Sequence, residues 1–191
     1  MDGLKGGSLF IGLLCACALT HASAQSQYGL GTKATEAQIA SWNIDVAPDG
    51  KALPPGRATV ADGEKVYMSS CVSCHGVKLE GGIGPALAGG AGTLTTDKPL
   101  KTVGSYWPYA TTLFDYIRRA MPFQAPQSLS NEQVYAVTGY ILHMNKLLDA
   151  NATVDASTLA DVKMPNRDGF YTDDRPDSKA VACMSNCLKA H

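Results

Sequence analysis

The chain has 191 residues, and its 16 Lys plus Arg are balanced by 17 Asp plus Glu, leaving a formal charge of −1. That length holds one hydrophobic core with appendages rather than two comfortable cores. The neutral balance offers no positive surface for a phosphate backbone, which excludes nucleic acid as a partner, and 19 Gly with 10 Pro leave much of the chain as loop.

Residues 1–24 have the form of an export signal peptide. A short, weakly charged start leads into an apolar run from Leu9 to Leu19, and Ala22-Ser23-Ala24 offers small residues for cleavage. His21 and Gln25 stop the run short of the about 20 apolar residues a membrane span needs, so no stable span is expected. Leu14 and Ala16 before Cys17 fit a lipid-attachment pattern that Cys15 interrupts, so lipid anchoring at Cys17 stands as an alternative. Export to the periplasm puts the remaining cysteines in an oxidising compartment.

Residues 25–58 form an N-terminal arm. Thr35-Glu36-Ala37-Gln38 reads as the capped start of a helical turn leading to Ile39 and Trp42, and Pro54-Pro55-Gly56 breaks the chain. Thr59 then caps a first helix through Gly63, Val66 and Tyr67, with Gly63 allowing another helix to come close.

That helix runs into Cys71-Val72-Ser73-Cys74-His75. This is C-x-x-C-H, the pattern in which two thiols add across the vinyl groups of a haem and the adjacent His binds its iron. Two thioether bonds fix the porphyrin edge against the backbone, so His75 is carried under the iron without a distant loop to position it. Four Cys and three His scattered over residues 25–191 would produce roughly 0.002 such patterns by chance. A redox dithiol and a zinc site are the competing uses. Zinc needs two further ligands, for which only His143 and the distal Cys pair are available. One covalently bound haem c is therefore the expected cofactor.

The Gly-rich residues 81–90 read as a loop beside the haem. A second helix runs from about Thr112 through Leu113, Tyr116, Ile117 and Ala120. Met121 follows it, on a loop between two helical patterns where it can cross the haem face, and is the expected sixth ligand opposite His75. A third helix opens on the Ser130 and Gln133 capping box and runs to about Leu148. Met144 falls in its apolar stripe with Val134, Val137 and Ile141, where a Met is more often core than ligand. Met164, before Pro165 on a loop, is the runner-up ligand. His143 reads as a surface or core residue, and Met184 and His191 lie further along the tail.

Residues 149–191 form a C-terminal arm in which Leu159, Val162, Met164, Phe170 and Tyr171 are scattered through polar sequence. Exposed Trp and Tyr anchor interfaces, so both arms are expected to wrap a partner subunit, the alternatives being packing onto their own domain or disorder. Cys183 and Cys187 have no following His and read as a disulfide, with a redox-active or partner-linking pair as the alternative.

Taken in order, Gly63 and Tyr67, the C-x-x-C-H motif, Gly84-Pro85-Ala86-Leu87, Met121 and the Tyr140-bearing last helix resemble the class I cytochrome c family across residues 59–148. The resemblance implies an all-α fold, a cytochrome c-like helical domain around one haem, here with extended N- and C-terminal arms. It implies that the Pro85 carbonyl accepts a hydrogen bond from the His75 ring, that Leu87 packs on the haem, and that Tyr106 or Trp107 donates to a haem propionate. Ordinary core packing is the alternative for each. The role implied is electron transfer with no acid, base or nucleophile, so the chain is not expected to be an enzyme by itself.

Residues 101–122, with Ala125-Pro126-Gln127, Tyr28-Gly29-Leu30-Gly31 and Met164-Pro165-Asn166-Arg167-Asp168-Gly169-Phe170, are similar to the monohaem cytochrome subunit of periplasmic sulfur and sulfite dehydrogenases. That family implies two partners, a molybdopterin-containing catalytic subunit that oxidises sulfite or sulfane sulfur and an acceptor cytochrome c. The choice of substrate stays open. The alternative is a free soluble periplasmic cytochrome c shuttling between respiratory complexes.

Overall fold

The computed structural model describes residues 31–174. Its elements are α1 (Glu36–Trp42), β1 (Arg57–Thr59), α2 (Val60–Ser70), α3 (Val72–His75), α4 (Ala110–Ala120), α5 (Asn131–Met144), β2 (Thr153–Asp155) and α6 (Ala156–Asp161). The chain divides after Ile39. Before that point Thr35 and Gln38 cap the start of α1 reciprocally, the Gln38 amide donating to Thr35 Oγ1 and the Thr35 amide to Gln38 Oε1. The core lies wholly in the residues after it.

Gly63 decides how α2 meets α5. A side chain there would run into the backbone carbonyl of Ala136, so only glycine lets the two helices lie this close. Tyr67, one turn further on, extends the contact with its ring 5.3 Å from that of Tyr140. Helix α5 is buried without a break from Val134 to Leu142, as its apolar composition on every side requires. Helix α4 adds Leu113, Phe114 and Ile117 to the same core, the Phe114 ring lying 4.5 Å from Tyr135.

Each helix stops for a local reason. The Thr59 hydroxyl accepts from the Asp62 amide at the start of α2, and the capping box of Ser130 and Gln133 opens α5. Helix α5 ends at Met144 rather than near Leu148, because Asn145 turns its side-chain amide onto the Ile141 carbonyl and Lys146 takes a left-handed φ of 63°. Helix α4 starts at Ala110, two residues earlier than its apolar pattern suggests.

The arms largely pack onto their own chain rather than standing free for a partner. Strand β1 pairs antiparallel with β2, Ala58 opposite Val154, and Val154 presses against Gly139 of α5. From the N-terminal arm the Val46 amide donates to buried Asp115, and Thr111 and Tyr135 donate their hydroxyls to the Pro48 and Pro54 carbonyls. From the C-terminal arm Leu159, Val162 and Met164 are buried with the helices in one cluster. The expectation that both arms wrap a partner is therefore corrected for these segments: their apolar residues complete this chain's core and their polar groups find partners on α4 and α5. Among the described residues Trp42, Phe170 and Tyr171 are the arm aromatics left exposed, at 83%, 51% and 91%. Among the described residues no helix is long and apolar enough to cross a membrane. The signal segment 1–24, Cys17, and the Cys183 and Cys187 pair lie outside the described residues.

Candidate functional site

The end of α2 feeds directly into the cysteine motif. The Cys71 amide donates back to the Tyr67 carbonyl, and the Cys74 and His75 amides both donate to the Cys71 carbonyl, so α3 is a single turn that brings Cys71, Cys74 and His75 to one wall. Gly76 then leaves the helix with φ 79°, and its carbonyl accepts the Tyr67 hydroxyl at 2.7 Å. That hydrogen bond fastens the motif to buried Tyr67, whose phenol is pushed up from its ordinary value by burial and by Cys71, Tyr140 and Glu80 around it.

The Gly-rich segment folds back over His75. Gly81 donates to the His75 carbonyl, Gly84 to the Cys74 carbonyl and Leu87 to the Leu79 carbonyl. A Cβ on Gly84 would come 2.9 Å from His75 Cε1, so the loop can approach the imidazole only as glycine. His75 Nδ1 lies 2.8 Å from the Pro85 carbonyl oxygen. A carbonyl only accepts, so Nδ1 carries the proton and Nε2 is the nitrogen left with a lone pair for a metal.

These walls bound a cavity of about 450 Å³. Of the expected site residues Cys71, Cys74, His75, Pro85, Leu87, Trp107 and Met121 all line it, with Leu113, Ile117, Val137 and Ile141 supplying an apolar floor. Tyr106 does not line it. Its backbone carbonyl accepts from Asn166 and its ring meets Phe170 edge-on, so it faces the C-terminal arm. The other described ligand candidates are elsewhere: Met164 is 3% exposed in the core, Met144 packs against that core, and His143 Nδ1 bonds to the Leu148 carbonyl. Met184 and His191 lie outside the described residues.

The residues fit a large, flat, apolar group tethered at one edge. Cys71 and Cys74 are not joined to each other, and burial followed by the neighbouring Cys74 pushes the Cys71 thiol up to about 11, the reverse of what a reactive redox dithiol needs. Among the described residues no three His, Cys, Asp or Glu side chains converge as a zinc cage requires. Two thiols, one imidazole nitrogen and one thioether around an apolar cavity form the donor set of a haem c.

Two sets of supporting residues carry no short-range signal in the sequence. Asn145 donates to the Leu87 carbonyl across the chain, and a buried hydroxyl pair, Thr102 and Ser105, holds the Gly89 and Leu100 carbonyls. An Asn is a known helix C-cap residue, but that preference says nothing of a second partner 58 positions away. Ile83 and Phe123, both cavity-lining, stand 93% and 78% exposed at the mouth.

Comparison with known proteins gives the same picture. The Cytochrome c family model matches residues 60–145. A cytochrome c-552 from Schinkia azotoformans is 63% identical over 27 residues, 14% of this chain, and the chain spans about half (51%) of that curated relative's length. The crystal structure of the sulfane dehydrogenase SoxCD from Paracoccus pantotrophus contains a chain 42% identical to this one, with a TM-score of 0.73 over 83% of this chain and 81% of that chain. With the cavity, the two cysteines that line it and the helical frame in agreement with these likenesses, the chain belongs to the cytochrome c family, as a class I c-type cytochrome with one covalently bound haem c.

Proposed function

We propose that this cytochrome is the electron-accepting subunit of a periplasmic sulfite or sulfane-sulfur dehydrogenase, taking electrons from a molybdopterin-containing catalytic subunit and passing them to an acceptor cytochrome c. The observation that carries the proposal is the reach of the likeness to sulfane dehydrogenase SoxCD. It covers 83% of this chain, well beyond the residues 60–145 that hold the haem, and so takes in arm segments that a minimal cytochrome does not need.

In this reading Cys71 and Cys74 would hold a haem through two thioether links, and His75 and Met121 would bind its iron. The haem supplies a one-electron Fe(II)/Fe(III) couple. The Pro85 carbonyl holds the His75 ring in one tautomer and one orientation and raises the basicity of Nε2. Met121 offers a soft thioether that favours the reduced state and so raises the potential. Leu87, Leu113, Ile117, Val137 and Ile141 keep water from the buried face, and no side chain in the cavity serves as acid, base or nucleophile. Ile83 and Phe123 give the mouth an apolar rim against which a partner docks by shape, in keeping with a near-neutral chain. Residues 1–24 act as the export signal.

Co-purification from the periplasm tests the assignment. A stable complex with a molybdopterin protein, in which sulfite or sulfane sulfur reduces the haem, is the expected result. A lone monomer reduced equally well by unrelated donors would sink it and favour the free soluble carrier.

A further inference from the structure

One wall of the cavity is held from outside by the C-terminal arm. Lys101, Thr102, Val103 and Trp107 line the cavity from a single stretch of chain. The residue just before Trp107 is the anchor point: the Asn166 side-chain amide donates to the Tyr106 carbonyl at 2.8 Å, and the Phe170 ring meets the Tyr106 ring edge-on with centroids 5.3 Å apart. On the same ring sits the Lys101 ammonium, 4.8 Å from its centroid. The Arg167 guanidinium lies 4.7 Å from the Tyr109 ring, at the residue that caps α4. Met164, 3% exposed, roots the segment in the core, and two turns, from Met164 to Arg167 and from Asn166 to Gly169, shape it.

The geometry points to residues 164–170 as a clasp that sets the haem environment through Tyr106, with Asn166 and Phe170 as positioning residues that keep Lys101 and Trp107 against the cavity. None of these clasp residues lies in the segment that the Cytochrome c family model matches. The physical effect has a sign. A cation beside the cavity favours the more negative, reduced state of the group inside it, and a closed apolar wall disfavours the additional charge of the oxidised state. Freeing Tyr106 lets Lys101 and Trp107 drift outward and admits water, and both changes lower the midpoint potential. The clasp takes the presence of haem in this cavity as given but needs no partner subunit, so it stands or falls separately from the dehydrogenase assignment.

The test uses the full-length holoprotein alone, in a Trp42→Phe background where Trp107 is the one remaining tryptophan. Haem quenches a neighbouring tryptophan, so emission reports how closely Trp107 is held. Phe170→Ala and Asn166→Ala are expected to lower the midpoint potential in an optical redox titration and to raise Trp107 emission several-fold, while Phe170→Tyr restores both to the parent values. Lys101→Gln, an exposed change that leaves the fold intact, is expected to lower the potential as well, and adding Phe170→Ala to it to lower it by less than the sum of the two. Potential and emission equal to the parent in both alanine variants, with only thermal stability reduced, would make the arm a structural staple and overturn the clasp. So would full additivity of Lys101→Gln with Phe170→Ala.

Discussion

Asn145 donates from Nδ2 to the Leu87 carbonyl at 3.0 Å, so the last residue of the α5 turn holds the loop that forms the opposite wall of the cavity. The same nitrogen lies 2.9 Å from the Ile141 carbonyl, and a side-chain amide has one hydrogen for each. On its other side Asn145 packs against Gly104, where a Cβ would collide with its Oδ1. Three lengths of chain that line the haem cavity therefore meet at one side chain, which ends a helix and positions a loop with the same group.

Removing that side chain should cost more than an ordinary helix cap. Asn145→Ala leaves the part-buried Leu87 carbonyl without a donor, while the Ile141 carbonyl keeps the Asn145 backbone N–H, a loss of about 1–3 kcal/mol. Asn145→Asp keeps the shape but offers no N–H, so it should be destabilised to a similar degree. Denaturant titration of the holoprotein, followed by far-ultraviolet circular dichroism, measures both. Variants as stable as the parent would mean that the loop is held by its other hydrogen bonds alone.

Among the described methionines Met121 is the one that lines the cavity, since Met144 and Met164 pack with the core and Met68 stands exposed on α2. Met121→Ala should open the sixth position: the reduced variant binds carbon monoxide rapidly, while the parent absorbance stays unchanged under the same gas. Met164→Leu, an exchange of similar volume in the core, should leave the haem spectrum as it is and cost less than about 1.5 kcal/mol of stability. Carbon monoxide binding by the parent would remove Met121 from the ligand set.

What could be read before folding was whatever sits close together along the chain. C-x-x-C-H is five consecutive residues, the Ser130 to Gln133 box is four, and Met121 announced itself by lying between two helical patterns. The arms were harder, because their partners are remote: Ala58 pairs with Val154, Val46 reaches Asp115, and Tyr135 reaches Pro54. No local periodicity encodes such pairings, and a Val or Leu spaced through polar sequence looks the same whether it completes its own core or covers a partner. Tyr106 and Trp107 differ by one position, so composition gave no means of telling which of two adjacent aromatics turns inward. The Asn166 bond and the Phe170 contact decide it, and both come from 60 or more residues away.

Gly84 lies so near the His75 ring that its replacement tests the imidazole's orientation. In Gly84→Ala the new methyl would sit 2.9 Å from Cε1 and 3.0 Å from Nδ1. Either the ring tilts away from the Pro85 carbonyl or the loop lifts off, and both weaken the hold on Nδ1. The expected result is a lower yield of holoprotein and a higher midpoint potential than the parent, because an imidazole less firmly bonded at Nδ1 is a weaker donor at Nε2 and supports the oxidised state less, read by absorbance and redox titration. Unchanged values would show that the loop yields without disturbing His75.

Acid should loosen the C-terminal arm through Asp155. This residue caps α6 and stands opposite Arg57 where the two arms pair. The Thr158 amide, then the Ser157 hydroxyl, donate to its carboxylate and hold its pKa below the ordinary 3.8. A carboxyl depressed by folding contributes stability above its unfolded value and loses it as the pH falls through that value toward the folded one. The contribution is therefore complete at neutral pH and fades below about pH 4. Asp155→Ala should cost about 1 kcal/mol at neutral pH, the usual loss for an N-cap. Thermal melts of parent and variant across this range should converge as the solution becomes more acidic, because protonation removes from the parent what the substitution has already removed from the variant. A difference that stays constant with pH would mean that the cap works through the shape of the side chain and owes nothing to its charge.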